Sequence, residues 1–215
     1  MIRKRWTYLA VSSTALLLAG CDDGENLEDM QEATQELDRL RTETADELNH
    51  LYDLETDLQN SFSETLESDD ELTTLGDGSS PVFENIESRE AVLENIAAHE
   101  EEMSEHQSTL DTYEGELLDQ SEIDAVMSDV YTFTDQLSQY RENYQAALSS
   151  QDSYFVSLSE NGATYEDFVD GIRSINDEHD ELREYLLVLD ETLVDFGESL
   201  DQLHTSIDNQ LTEDE

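Results

Sequence analysis

The stretch TYEDFVDGIRSINDEHDELREYLLVLDETLVDFGESLDQLHTSI, Thr164 to Ile207, decides the fold. Its stripe is Phe168, Ile172, Ile175, His179, Leu182, Leu186, Leu189, Leu193, Phe196, Leu200, Leu203 and Ile207. The steps alternate four and three residues throughout, and His179 is the one polar member. A period of 3.5 keeps one face of a helix turned toward partner helices in a left-handed supercoil. Thr164, with Asp167 three residues on, is placed to cap the start of this helix.

Working back toward the N-terminus, three more helical stripes appear. The first runs Leu27, Met30, Ala33, Leu37, Leu40, Thr44, Leu48, Leu51, Leu54, Leu58, Phe62 and Leu66, weakens through Glu67 to Glu71, and closes with Leu72 and Leu75. Gly76-Asp77-Gly78-Ser79-Ser80-Pro81 is the clearest break: the glycines stop the first helix, and Ser80 and Pro81 suit the N-cap and first turn of the second. The second carries Val82, Ile86, Leu93, Ile96, Met103, Leu110 and Leu117. A weaker boundary spans Gly115 to Ser121, where Ser121 and Asp124 resemble a capping box. The third carries Ile123, Met127, Val130, Phe133, Leu137, Tyr140, Tyr144, Leu148, Phe155 and Leu158, and stops at Asn161-Gly162.

No segment alternates with the period of two that a strand needs, and the only proline lies in a linker. The expected fold is all-α, an elongated up-and-down four-helix bundle with coiled-coil-like packing. If residues 115–121 do not turn, the second and third helices fuse and three long helices result.

The N-terminus has a different composition. Arg3-Lys4-Arg5 precedes an apolar run from Trp6 to Leu18, and Leu18-Ala19-Gly20 leads directly into Cys21, the only cysteine. That run is too short to cross ~30 Å of hydrocarbon, which takes ~20 residues. The pattern resembles bacterial lipoprotein signals, which implies diacylglycerol on Cys21 and cleavage after Gly20. The domain plan is therefore a signal peptide over 1–20, a lipid-anchored tether over 21–26 and a helical bundle over 27–212. With Cys21 acylated, no thiol remains for disulfides, metal ligation or nucleophilic catalysis.

Charge narrows the partners. All 56 acidic residues follow Cys21, whereas Arg3, Lys4 and Arg5, three of the nine basic ones, precede it. Nucleic acid, wall phosphate and anionic lipid headgroups each demand a basic footprint, and this field has the opposite sign. Nucleic acid is excluded as a partner, and contact with wall phosphate needs divalent cations as a bridge. The acidity itself suits a solvated surface adapted to high salt or alkaline pH, where repulsion is screened.

Candidate chemistry is sparse. Glu47 with His50, and Asp201 with His204, have the Glu-x-x-His type of spacing of di-iron bundles, but both pairs flank core positions instead of occupying them. With so many carboxylates such spacing arises by accident, so neither a metal nor another cofactor is expected. His179 has two readings: a protonation switch between Asp177, Glu178, Asp180 and Glu181, or a polar core residue that sets helix register. Tyr140 and Tyr144 are candidate ligand contacts, since aromatic faces stack on sugar rings; core packing with the hydroxyls at the edge is the competing reading. No nucleophile-base set, Gly-rich phosphate loop or Cys/His cluster is present, so no catalytic residue is assigned.

The layout as a whole resembles the YkyA-like family of cell-wall-binding lipoproteins of Gram-positive bacteria. The features that carry it are the lipobox at Leu18 to Cys21, a single long-helix domain, Tyr140 and Tyr144 in the third helix, the break at Asn161-Gly162 and a last long helix that starts near Thr164 to Phe168. The resemblance covers residues 21–211 and implies a non-enzymatic helical bundle on the outer face of the cytoplasmic membrane, contacting wall polymer or another envelope protein. Family members are typically rich in lysine, and this chain departs from them in having none after Lys4.

Overall fold

The computed structural model describes residues 26–213. The residues read as a lipoprotein signal and its lipidation site, Leu18, Ala19, Gly20 and Cys21 among them, lie outside that range. Five helices follow one another: α1 (Leu27–Ser68), α2 (Thr73–Asp77), α3 (Pro81–Asp111), α4 (Gln120–Ser157) and α5 (Tyr165–Glu213). Among the described residues there is no strand. The four long helices run antiparallel in sequence order, and α5 returns to pack on α1, so the bundle closes as α1–α3–α4–α5. At 1.5 Å per residue α5 is roughly 74 Å long and α1 roughly 63 Å, which makes the molecule a rod.

The stripe of the deciding segment forms the inner face of α5, with Ile175, Leu182, Leu189, Phe196, Leu200, Leu203 and Ile207 buried. Thr164 and Asp167 form the expected cap: the Asp167 carboxylate accepts from the Thr164 amide and hydroxyl at 2.8 and 2.7 Å, and the Asp167 amide donates to Thr164 Oγ1 at 3.2 Å. These bonds stabilise the charged form and hold the Asp167 carboxyl below its usual range. Ser80 caps α3 from an extended backbone, with Pro81 in the first turn.

Three boundaries differ from the sequence reading. The first helix stops at Ser68, well before the glycines, because Asp69 turns its carboxylate onto the next segment. That carboxylate accepts from the amides of Glu71 and Thr74 and from both threonine hydroxyls, so it builds α2 instead of continuing α1. Leu72 then turns in the left-handed region (φ 53°), and Leu75 of α2 plugs the core. Leu66 is exposed, while the adjacent Thr65 is buried and shares a 2.6 Å hydrogen bond with the Ser80 hydroxyl.

The second helix ends at Asp111, so residues 112–119 do turn and four long helices result. Leu117 is exposed; Tyr113 and Leu118 close this end, with the Leu118 amide donating to the Tyr113 hydroxyl at 3.0 Å. The cap of α4 is Asp119, which accepts from the amide and hydroxyl of Ser121, whereas Ser121 and Asp124 were expected to form it. At the other end α4 finishes at Ser157, and Gly162 takes a positive φ of 131° within the following turn.

Candidate functional site

Two apolar halves of the core flank a polar middle. Phe62, Phe155 and Phe168 cluster toward the end that carries α2, and Phe133 meets Phe196 in the other half. Between them lies a closed ring of polar side chains from all four long helices. Arg89 of α3 has no exposed surface and donates to Gln151 Oε1 at 2.8 Å and to the Tyr144 hydroxyl at 3.5 Å. Tyr144 in turn donates to Glu55 Oε2 of α1 at 3.0 Å. Glu55 Oε1 lies 3.3 Å from His179 Nδ1 of α5, and His179 Nε2 lies 3.2 Å from Gln151 Nε2, which completes the circuit.

The circuit dictates its own proton positions. Gln151 presents its oxygen to the Arg89 guanidinium, so its nitrogen donates to His179. That ring nitrogen must then be bare, and the Nδ1–H faces Glu55. Burial holds His179 below its ordinary value; the Glu55 carboxylate opposes that, and Arg89 adds to it. The neutral imidazole is thus a joint between helices. Its partners are Glu55 and Gln151, across the bundle, more than the acidic neighbours on its own helix.

Tyr140 and Tyr144 stand in this same layer, edge to face at 5.6 Å and each 1 % exposed. Burial pushes both phenols far above their ordinary range. Neither presents a ring face to solvent, so the packing reading of these two residues describes where they stand. Glu47 and His50 sit 3.9 Å apart at the surface, and His204 faces Asp208 instead of Asp201. Among the described residues no three His, Cys, Asp or Glu side chains are grouped to hold a metal ion.

The seam between α1 and α5 is open above this ring. A cavity of about 470 Å³ is lined by Ala45, Leu48, Tyr52, Leu186, Leu187 and Leu193, among others. It adjoins a second, of about 260 Å³, that reaches Glu55 and His179; Tyr52, Arg183 and Leu186 border both. The result is one groove whose far end touches the buried circuit. Periodicity could not have revealed it, because Tyr52, Leu187 and Arg183 lie off the core stripes. Another cavity, of about 540 Å³, lies at the α2 end between α3 and α4 and is bordered by Asp77, Glu87, Glu90 and Asp152.

Among the described residues no helix is long and apolar enough to cross a membrane. A family model described as "YkyA: Putative cell-wall binding lipoprotein" matches residues 25–206. Comparison with the curated proteins and with the solved structures gave no match.

Proposed function

The chain belongs to the YkyA family of cell-wall binding lipoproteins, and on that footing we propose that it acts as a lipid-anchored, non-enzymatic binding rod on the outer face of the cytoplasmic membrane. The observation that carries this reading is the family match across 25–206, directly behind a lipobox at Leu18 to Cys21. Acylation of Cys21 would hold the start of α1 close to the bilayer. The α1–α5 groove, between Ala45 and Thr56, would then stand roughly 27 to 44 Å along α1 from Leu27. The opposite end, with α2 and the 158–164 turn, would face outward.

Wall polymer reaches such an acidic rod through cations. No grouped metal site exists among the described residues, so bridging would draw on carboxylates spread over the surface. Retention of the full chain on isolated cell wall is expected in millimolar-range calcium or magnesium and is lost on chelation. Retention that survives chelation overturns the bridging idea, and no retention under either condition overturns wall binding. A second reading, docking on another envelope protein, is favoured by the α1–α5 groove.

A further inference from the structure

The α1–α5 groove has three properties that together describe an occupant. Its floor is apolar, formed by Leu48, Leu186, Leu189 and Leu193, and its walls carry Tyr52 (59 % exposed) and Leu187 (58 %). Val194, 55 % exposed and seven residues beyond Leu187, extends the same face of α5. These exposed apolar side chains beside the cavity are area that a docking helix would cover. The groove's borders are acidic, with the exposed Asp190 toward one end and the exposed Asp180 toward the other.

The third property is Arg183, which borders both cavities. Each other described arginine is engaged: Arg39, Arg41, Arg141 and Arg173 in ion pairs, and Arg89 with Gln151. Among the described arginines Arg183 alone has neither an ion pair nor a side-chain hydrogen bond, on a chain of net charge −47. A guanidinium left free amid so many carboxylates is available to a partner's anion.

We propose that this groove receives an amphipathic cationic helix of another envelope protein. Its apolar face would lie on Leu186, Leu187, Leu193 and Tyr52, its flanking bases would face Asp180 and Asp190, and one acid would meet Arg183. The inference rests on the reading of an envelope-facing rod. The groove runs parallel to α1 from Ala45 to Thr56, roughly 17 Å, the length of about three helical turns. A helix laid in a groove between two others is a recurring mode of recognition. Charge selects its sign, because the surrounding field attracts bases. A second copy would bring acidic borders against acidic borders, and a glycan strand would set its hydroxyls on leucines that cannot hydrogen-bond them.

The test uses the full chain in nanodiscs of zwitterionic lipid, with empty nanodiscs as the blank. The probe is a fluorescent Leu/Lys peptide of about eighteen residues, long enough to cover the groove, bearing one Glu on its flank. Its counterpart has the same leucines with Glu in place of Lys. The Leu/Lys peptide is expected to bind, and the double change Tyr52→Ser with Leu187→Gln weakens it about tenfold or more. Tyr131→Ser, an exposed aromatic on α4, leaves it unchanged. Circular dichroism confirms that each variant is folded.

Equal binding of the two peptides, equal binding of the groove variant and the parent, or occupancy of the groove by a second copy or by wall fragments overturns the proposal. The same variants are assayed for wall retention. Retention without groove-dependent peptide binding sinks the docking site and leaves the envelope reading standing. Peptide binding without wall retention supports the docking site and sinks wall binding.

Discussion

Arg89 illustrates what a stripe of apolar letters conceals. On α3 the apolar series steps from Ile86 to Leu93, a gap of seven, and Arg89 fills the midpoint with no solvent exposure. On α4 the gap from Leu148 to Phe155 is filled by buried Gln151. The gaps at 86–93 and 148–155 hold fully buried polar residues, whereas those at 96–103 and 103–110 hold the half-buried His99 and Gln107, so a seven-residue gap marks a polar position without fixing its burial. The mutual contacts of Arg89, Gln151 and His179 were not legible, because each partner comes from a different helix. The cost of burying the Arg89 charge is partly offset by Gln151, Tyr144 and the nearby Glu55 carboxylate, while its buried Nε makes no hydrogen bond. His179 supplies the pH dependence. Its folded pKa lies below the ordinary value of 6.5, so the unfolded chain binds more protons as pH falls through that value. Its contribution is then complete well above 6.5 and is lost as pH drops below it, toward the folded value. The charges facing it are Glu55, Arg89, Glu178 and Asp180. Denaturation of the parent and of His179→Gln at pH 7.5 and at pH 5 should show the parent losing stability relative to the variant at the lower pH. Parallel pH profiles would remove the imidazole from the account.

At the scale of the helix, the core faces and the starts at Ser80 and Thr164 were readable, and the ends set by Asp69 and Asp119 were not. Stripes depend on burial of whole faces, whereas ends depend on single capping side chains. Asp69, Asp119 and Thr164 decide where α2, α4 and α5 begin, and a chain with so many carboxylates offers many equivalent caps. Gly171 gives a sharper test of packing against propensity. In an open helix interior, Gly→Ala stabilises by about 0.5 to 1 kcal/mol. Here a Cβ at position 171 would lie 1.9 Å from the Tyr154 ring, which is anchored by its hydroxyl to the Phe168 carbonyl at 3.0 Å. Gly171→Ala is therefore expected to destabilise by about 1–3 kcal/mol, the cost of overpacking. In a Tyr154→Ala background the same change should become stabilising. A stabilising effect in the parent chain, measured by urea denaturation, would show that Tyr154 moves aside freely.

At the scale of the molecule, charge repulsion opposes the packing along the entire rod. Raising ionic strength from 0.1 to 1 M shortens the Debye length from ~10 to ~3 Å. The melting temperature should rise across that range, since a compact chain of net charge −47 suffers more repulsion than an expanded one. A melting temperature that is flat or falling in sodium chloride would mean that the carboxylates are already spaced beyond mutual influence. The sequence by itself determined the all-helical class, the antiparallel order and the acidic sign of the surface, because periodicity, linker length and net charge are properties of a chain read locally or summed. Only the tertiary structure decided that α5 closes on α1, that Arg89, Gln151, His179, Glu55 and Tyr144 meet in one circuit, and that Tyr52, Leu187 and Arg183 border one groove. Those are relations between residues on different helices, and they exist only once the helices have chosen their azimuth and register.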